Sequence, residues 1–147
     1  MKFIIASVLL AASSAFAVPH AKRDSYISIT DLIGRDSITD GSIGFTLTDP
    51  NYPDDTPTDC YTFWVNGDGP DGSARCDNAE YYMKFPGWDD NFNLFTLEVQ
   101  RVSGSIPENG SVVLDSSAAG SKWVCVDNPE SGVNINCVYN ATLLISV

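Results

Sequence analysis

Between Val133 and Val147 the chain alternates. Val133, Ile135, Cys137, Tyr139, Ala141, Leu143, Ile145 and Val147 share one parity, and Asn134, Asn136, Asn140, Thr142 and Ser146 fall on the other. Successive side chains of a strand point to opposite faces, so this run builds a half-buried strand. A helix would scatter the same residues around its axis. Val138 and Leu144 interrupt the polar parity, which predicts that part of that face is covered. The same signature recurs upstream. Ile43, Phe45 and Leu47 share a face within Gly41–Thr48, Tyr81, Met83 and Phe85 share one within Glu80–Phe85, and Phe95–Gln100 alternates strictly. Tyr26–Ile29 opens the fold, Cys60–Val65 supplies a middle strand, and Lys122–Val126 precedes the last one. No segment sustains a 3.6-residue period. About eight strands in a chain of this size predict an all-β fold, a single compact antiparallel β-barrel or sandwich.

Two connections stand out, the acidic, proline-rich Asp49–Asp59 and the glycine-rich Asn66–Ser73. Both carry turn chemistry, and neither marks a second domain.

The first residues belong to targeting rather than to the fold. Lys2, the apolar stretch Phe3–Ala12 and the small residues closing at Ala15-Phe16-Ala17 read as a secretory signal peptide over residues 1–17, too short to anchor in a bilayer. Residues 18–23 end in Lys22-Arg23, a dibasic pair of the kind cut late in the fungal secretory route, and read as a propeptide. The alternative start is Val18. Cleavage after Arg23 removes 23 of 147 residues and leaves a domain at 24–147, long enough to bury roughly two-thirds of its unfolded surface. Lys2, Lys22 and Arg23 leave with the leader, so five cations face all 19 acids and the net charge of −11 becomes −14. Such a surface repels nucleic acid and anionic membranes. His20 leaves too, and with it every mechanism that needs an imidazole as base or metal ligand.

Cys60, Cys76, Cys125 and Cys137 are an even set in an extracellular chain and predict two disulfides, with three pairings possible. Cys60–Cys76 and Cys125–Cys137 are favoured, since each pair is close in sequence and flanked by strand-like segments. Zinc is disfavoured because no spacing is C-x-x-C and oxidation competes. Asn109-Gly110-Ser111 and Asn140-Ala141-Thr142 are N-glycosylation acceptors, and the strand parity puts Asn140 on the solvent side.

Carboxylates are the first candidates for chemistry. Asp54, Asp55 and Asp59 crowd one loop and Asp89-Asp90 another, the ligand type of a hard cation such as Ca²⁺. No EF-hand pattern is present and acidic loops are usually just solvated, so neither metal nor cofactor is expected. Nor does the sequence place two carboxyls across a glycosidic bond, and no catalytic residue is assigned. Trp64 and Trp123 lie in apolar strands and belong to the core. Trp88 sits in the turn Pro86–Asp90 beside acids, either as a core lid or, with Asp89 and Asp90, as a contact residue. Gly34-Arg35 reads as a turn glycine followed by an arginine that pairs with a carboxylate or faces a partner.

The run Tyr26, Asp31 and Gly34-Arg35, followed by Ser42–Leu47, resembles the opening strands of the Alternaria major-allergen family of small secreted fungal β-barrel proteins. Arg75-Cys76 before an aromatic strand, the strand Leu94–Val102, Trp123-Val124-Cys125 and the closing Asn136-Cys137 are similar too, in order over residues 24–147. The resemblance implies a compact barrel or sandwich with the disulfide pairing favoured above. It also implies an effector or elicitor that plant cells perceive, or one that binds thaumatin-like pathogenesis-related proteins or cell-surface receptors. The allergen's covalent dimer uses a cysteine before the first strand. Only Asp24-Ser25 precede Tyr26 here, so a monomer is expected. The expected function is non-catalytic protein recognition outside the cell, with binding of a flavonoid or other phenolic, or of carbohydrate, as the competing readings.

Overall fold

The structure, a computed structural model, describes residues 24–105 and 107–147. The expected signal peptide over residues 1–17, the expected propeptide over residues 18–23 and His20 lie outside the described residues. Ten strands are present among them: β1 (Tyr26–Ser37), β2 (Asp40–Thr48), β3 (Thr58–Val65), β4 (Ala74–Arg75), β5 (Tyr81–Lys84), β6 (Leu94–Arg101), β7 (Glu108–Asp115), β8 (Trp123–Glu130), β9 (Val133–Tyr139) and β10 (Leu143–Ser146). All pairings are antiparallel. One sheet runs β3-β2-β1-β9-β8 with β10 also on β1, and the other runs β4-β5-β6-β7.

The first sheet turns on an irregularity in β1. Asp31 has φ 55, and pairing with β2 slips between Thr30 and Ile33. The extra residue changes parity, so Ile27 and Ile29 point inward before it and Leu32 after it. One edge of β1 pairs with β2 throughout; the other pairs with β10 at Tyr26–Ile29 and with β9 at Ile33–Ser37. The single strand expected over Val133–Val147 is therefore two. A corner at residues 140–142 divides it, and the buried parity carries on across the corner through Leu143 and Ile145.

Inward side chains of both sheets form one core, with Ile43, Phe45 and Leu47 facing Tyr81, Met83 and Leu97. The sheets meet at two seams. At one, Cys60 of β3 makes a single bridge to Cys76, the residue after β4; at the other, Gly110 of β7 lies against the Ser146 carbonyl and the Ile145 side chain of β10. Neither seam carries a continuous ladder among the described residues: β4 is two residues long, and β10 is paired only to β1. Of the two architectures expected, the open sandwich fits and the closed barrel does not.

Both disulfides form as favoured, Cys60–Cys76 and Cys125–Cys137. The first ties sheet to sheet, and the second joins directly paired positions of β8 and β9. Loop 49–59 is anchored rather than loose. Buried Asp49 accepts from the Tyr81 hydroxyl (2.9 Å) and the Asn51 amide (2.8 Å), and Arg101 donates to Asp55 (2.7 Å). Arg101 is 4% exposed, its guanidinium 3.6 Å from the centre of the Tyr52 ring. Burial works against that charge, but Asp55 and Tyr81 more than offset it, and the pKa is raised.

Candidate functional site

Trp88 sits half-buried in the turn after β5, where Gly87 and Asp90 both have positive φ. Its ring packs edge-on to Trp64, Phe85, Phe92 and Phe95 at centroid distances of 5.2 to 5.9 Å. Of the two roles open to it, the geometry is that of a lid on an aromatic cluster. Asp89 and Asp90 stay exposed beside it, and with Gly67, Asp68 and Gly69 they border a shallow depression of about 230 Å³. Trp64 and Trp123 are in the core, and the Trp123 indole donates to the Phe92 carbonyl at 2.8 Å.

The acidic loop residues are engaged individually. Asp55 pairs with Arg101 and Asp59 accepts from the Thr46 hydroxyl at 2.7 Å, while Asp54 is exposed nearby. Among the described residues no three acidic, cysteine or histidine side chains gather as a metal site. Gly34-Arg35 is not a turn but the interior of β1. A glycine fits closely there, since a Cβ would meet the Phe92 and Trp123 rings at 3.1 to 3.3 Å. Arg35, one residue on, points outward and pairs with Glu130 at 2.8 Å. Both sequon asparagines, Asn109 on β7 and Asn140 at the corner, are exposed.

The outer face of the first sheet is the feature that strand periodicity does not reveal. Paired positions place Val124, Val138, Ile33, Gly44 and Tyr61 in one row across β8, β9, β1, β2 and β3. The next row is Val126, Asn136, Arg35, Ser42 and Phe63. Phe63 is 71% exposed and Tyr61 60%, and Val65 extends the apolar edge along β3. Isolated surface apolar residues are ordinary, but a row without a polar side chain across five strands, as the first of these is, is not; the second is apolar at its two ends, Val126 and Phe63.

Local chemistry holds this band in place. Cys60, Thr62 and Trp64 are buried, so the pleat sends Tyr61, Phe63 and Val65 outward. Two glycines of β2 accommodate aromatic side chains of β3, one on each face. Inside, the Trp64 indole covers Gly41, where a Cβ would lie 2.6 Å away; outside, the Tyr61 ring covers Gly44, where a Cβ would lie 2.9 Å away. The Tyr61 and Phe63 rings stand 6.4 Å apart, and a recess of about 350 Å³ lies between Tyr61, Asp31, Gly44 and Asp59. Asp31 and Asp59 border one end of the band and Asp40, opposite Val65, borders the other. Arg35 is the one cation in the two rows, and Glu130 neutralises it. The outer strand β8 is guarded against further pairing by Asp127, Asn128 in a left-handed conformation, and Pro129. One signal in the sequence does point to the band. Cys60–Val65 is apolar on both parities, yet a strand in a two-layer sandwich has only one face to bury. Compared with protein-family models, curated proteins and solved structures, the chain matches none.

Proposed function

We propose that this is a secreted fungal protein of the effector or elicitor type, acting without catalysis by recognising a plant extracellular protein, whether a defence protein of the thaumatin-like kind or a cell-surface receptor. The observation that carries the reading is the exposed apolar side chains Tyr61, Phe63, Ile33 and Val126 on the outer face of one sheet. Interface anchors are typically aromatic side chains ringed by polar groups, and this face has that composition. Two staples and a strongly acidic surface suit a monomer that stays soluble outside the cell.

A phenolic-binding reading draws on a recess of about 240 Å³ near Trp123, Tyr139, Leu143 and Lys122. It ranks second because that recess falls short of the roughly 300 Å³ from which ligand pockets run, and the larger recess of about 350 Å³ beside Tyr61 is an open surface dish bordered by the carboxylates of Asp31 and Asp59. Carbohydrate stacking at Trp88 has less support, since neighbouring rings surround that indole.

The test is infiltration of purified residues 24–147 into leaves beside a Tyr61→Ser/Phe63→Ser double variant, with circular dichroism and thermal midpoint checked for both. The expected outcome is a defence response to the wild type that falls at least tenfold in dose for the variant. Equal responses from two folded proteins would assign recognition elsewhere, and quenching of tryptophan fluorescence by a flavonoid, unchanged by these substitutions, would favour the phenolic reading.

A further inference from the structure

We infer that the outer face of the first sheet docks a cationic protein, one presenting an apolar ridge flanked by lysine or arginine, and not a second copy of this chain. The inference rests on the recognition reading above and adds the chemistry of the partner. It comes from how charge is distributed around the band. Asp31 and Asp59 stand at one end and Asp40 at the other, all exposed. The only cation within the two rows is already paired, Arg35 to Glu130. An incoming apolar surface therefore meets carboxylates on both flanks with no free positive charge between them. Electrostatic complementarity selects a partner that brings cations to those flanks, and it penalises one that brings more acids.

A second copy is such a penalised partner. Stacking two of these faces by a two-fold axis sets the Asp31, Asp40 and Asp59 clusters of one against those of the other, between bodies that each carry a net charge of −14 by sequence from residue 24 onward. Strand addition at the β8 edge is opposed by Pro129 and by the register break between Asp127 and Glu130. Of the two sequons, Asn109 lies on β7 of the other sheet, away from the two rows, and Asn140 lies just beyond Val138 at the edge of the first row.

The experiment uses the folded domain, residues 24–147, immobilised and exposed to plant apoplastic fluid divided by cation exchange into basic and acidic fractions. Hen lysozyme serves as a cationic protein chosen without regard to any apolar complement. The expected result is retention of a discrete protein from the basic fraction. Tyr61→Ser/Phe63→Ser should weaken its binding about a hundredfold, since anchor side chains each carry a large share of affinity. Asp31→Asn/Asp40→Asn/Asp59→Asn should weaken it about tenfold and flatten its dependence on salt. Retention from the acidic fraction alone, no retention, or binding indifferent to the aromatic substitutions overturns the inference. So does lysozyme held equally well by wild type and serine variant, which would mean charge alone. A dimer in sedimentation that Phe63→Ser dissolves would assign the face to a second copy. A leaf response that depends on Phe63 without a basic partner would sink the partner class and leave the recognition reading standing; a basic partner without a leaf response would do the reverse.

Discussion

Gly110 and Gly44 are both glycines at which a Cβ would collide, and the two should respond differently to alanine. At Gly110 the obstacle includes the Ser146 backbone carbonyl, held in β10, which has no rotamer to escape into. Gly110→Ala should cost about 1–3 kcal/mol, read from denaturant midpoints, as over-packing does where the neighbour is fixed. At Gly44 the obstacle is the exposed Tyr61 ring, which can swing aside, so Gly44→Ala should leave stability within about 0.5 kcal/mol. Tyr81 is a residue of another kind. Burial, then the bond and charge of Asp49, push its hydroxyl far above the ordinary value of 10.0, against a smaller opposing pull from Arg101. An acid whose folded pKa is raised keeps its proton in the native state after the unfolded chain has lost it. Its stabilisation is therefore whole below about pH 10 and declines as pH rises beyond. Denaturant midpoints should fall above about pH 10 in the wild type, and less steeply in Tyr81→Phe. That variant should also lose about 1–3 kcal/mol at neutral pH because buried Asp49 gives up a donor.

The disulfides differ in what they join, and that decides what their removal does. Cys125–Cys137 pins the outer strand β8 to β9, so Cys125→Ala/Cys137→Ala should cost about 3 kcal/mol. Amide exchange should quicken in β8 first while β5 and β6 stay protected. Most strands are legible in the sequence alone, because β2, β3, β5, β6 and β9 each bury one parity. Strand β7 is not, for physical reasons. Its inward positions begin with Glu108, which accepts from Asn51 at 2.8 Å, and Gly110, which is small because β10 passes there. Asn109-Gly110 also imitates a hairpin turn. Nor can periodicity reveal the corner dividing β9 from β10, since an even spacing from Tyr139 to Leu143 preserves the buried parity across the break.

At the scale of the whole molecule, the same limit explains why the sequence leaves Trp88 open between core lid and contact residue and does not say which face of the strand carrying Phe63 is covered. Parity separates two faces of a strand, but only the stacking of one sheet on another says which face is covered. Trp88 lies in a turn and looks exposed in sequence, yet the turn folds over the gap between sheets and the ring closes it. Phe63 lies in an apolar strand and looks buried, yet the sheet's second face has no layer above it among the described residues. Arg35, in contrast, is outward and carboxylate-paired, which its surroundings of abundant acid already suggest. The pairing of β1 has one more consequence. It precedes every other strand of the domain in chain order, and it hydrogen-bonds along one edge to β9 and β10, which follow all the rest. Contact order is thus high at the centre of the larger sheet, and the loop entropy of joining the two ends of the domain must be met before that sheet can complete. A growing chain can make the β2–β3 hairpin and the β5–β6–β7 meander as it emerges, but its central strand waits half-paired until the C-terminal strands are released.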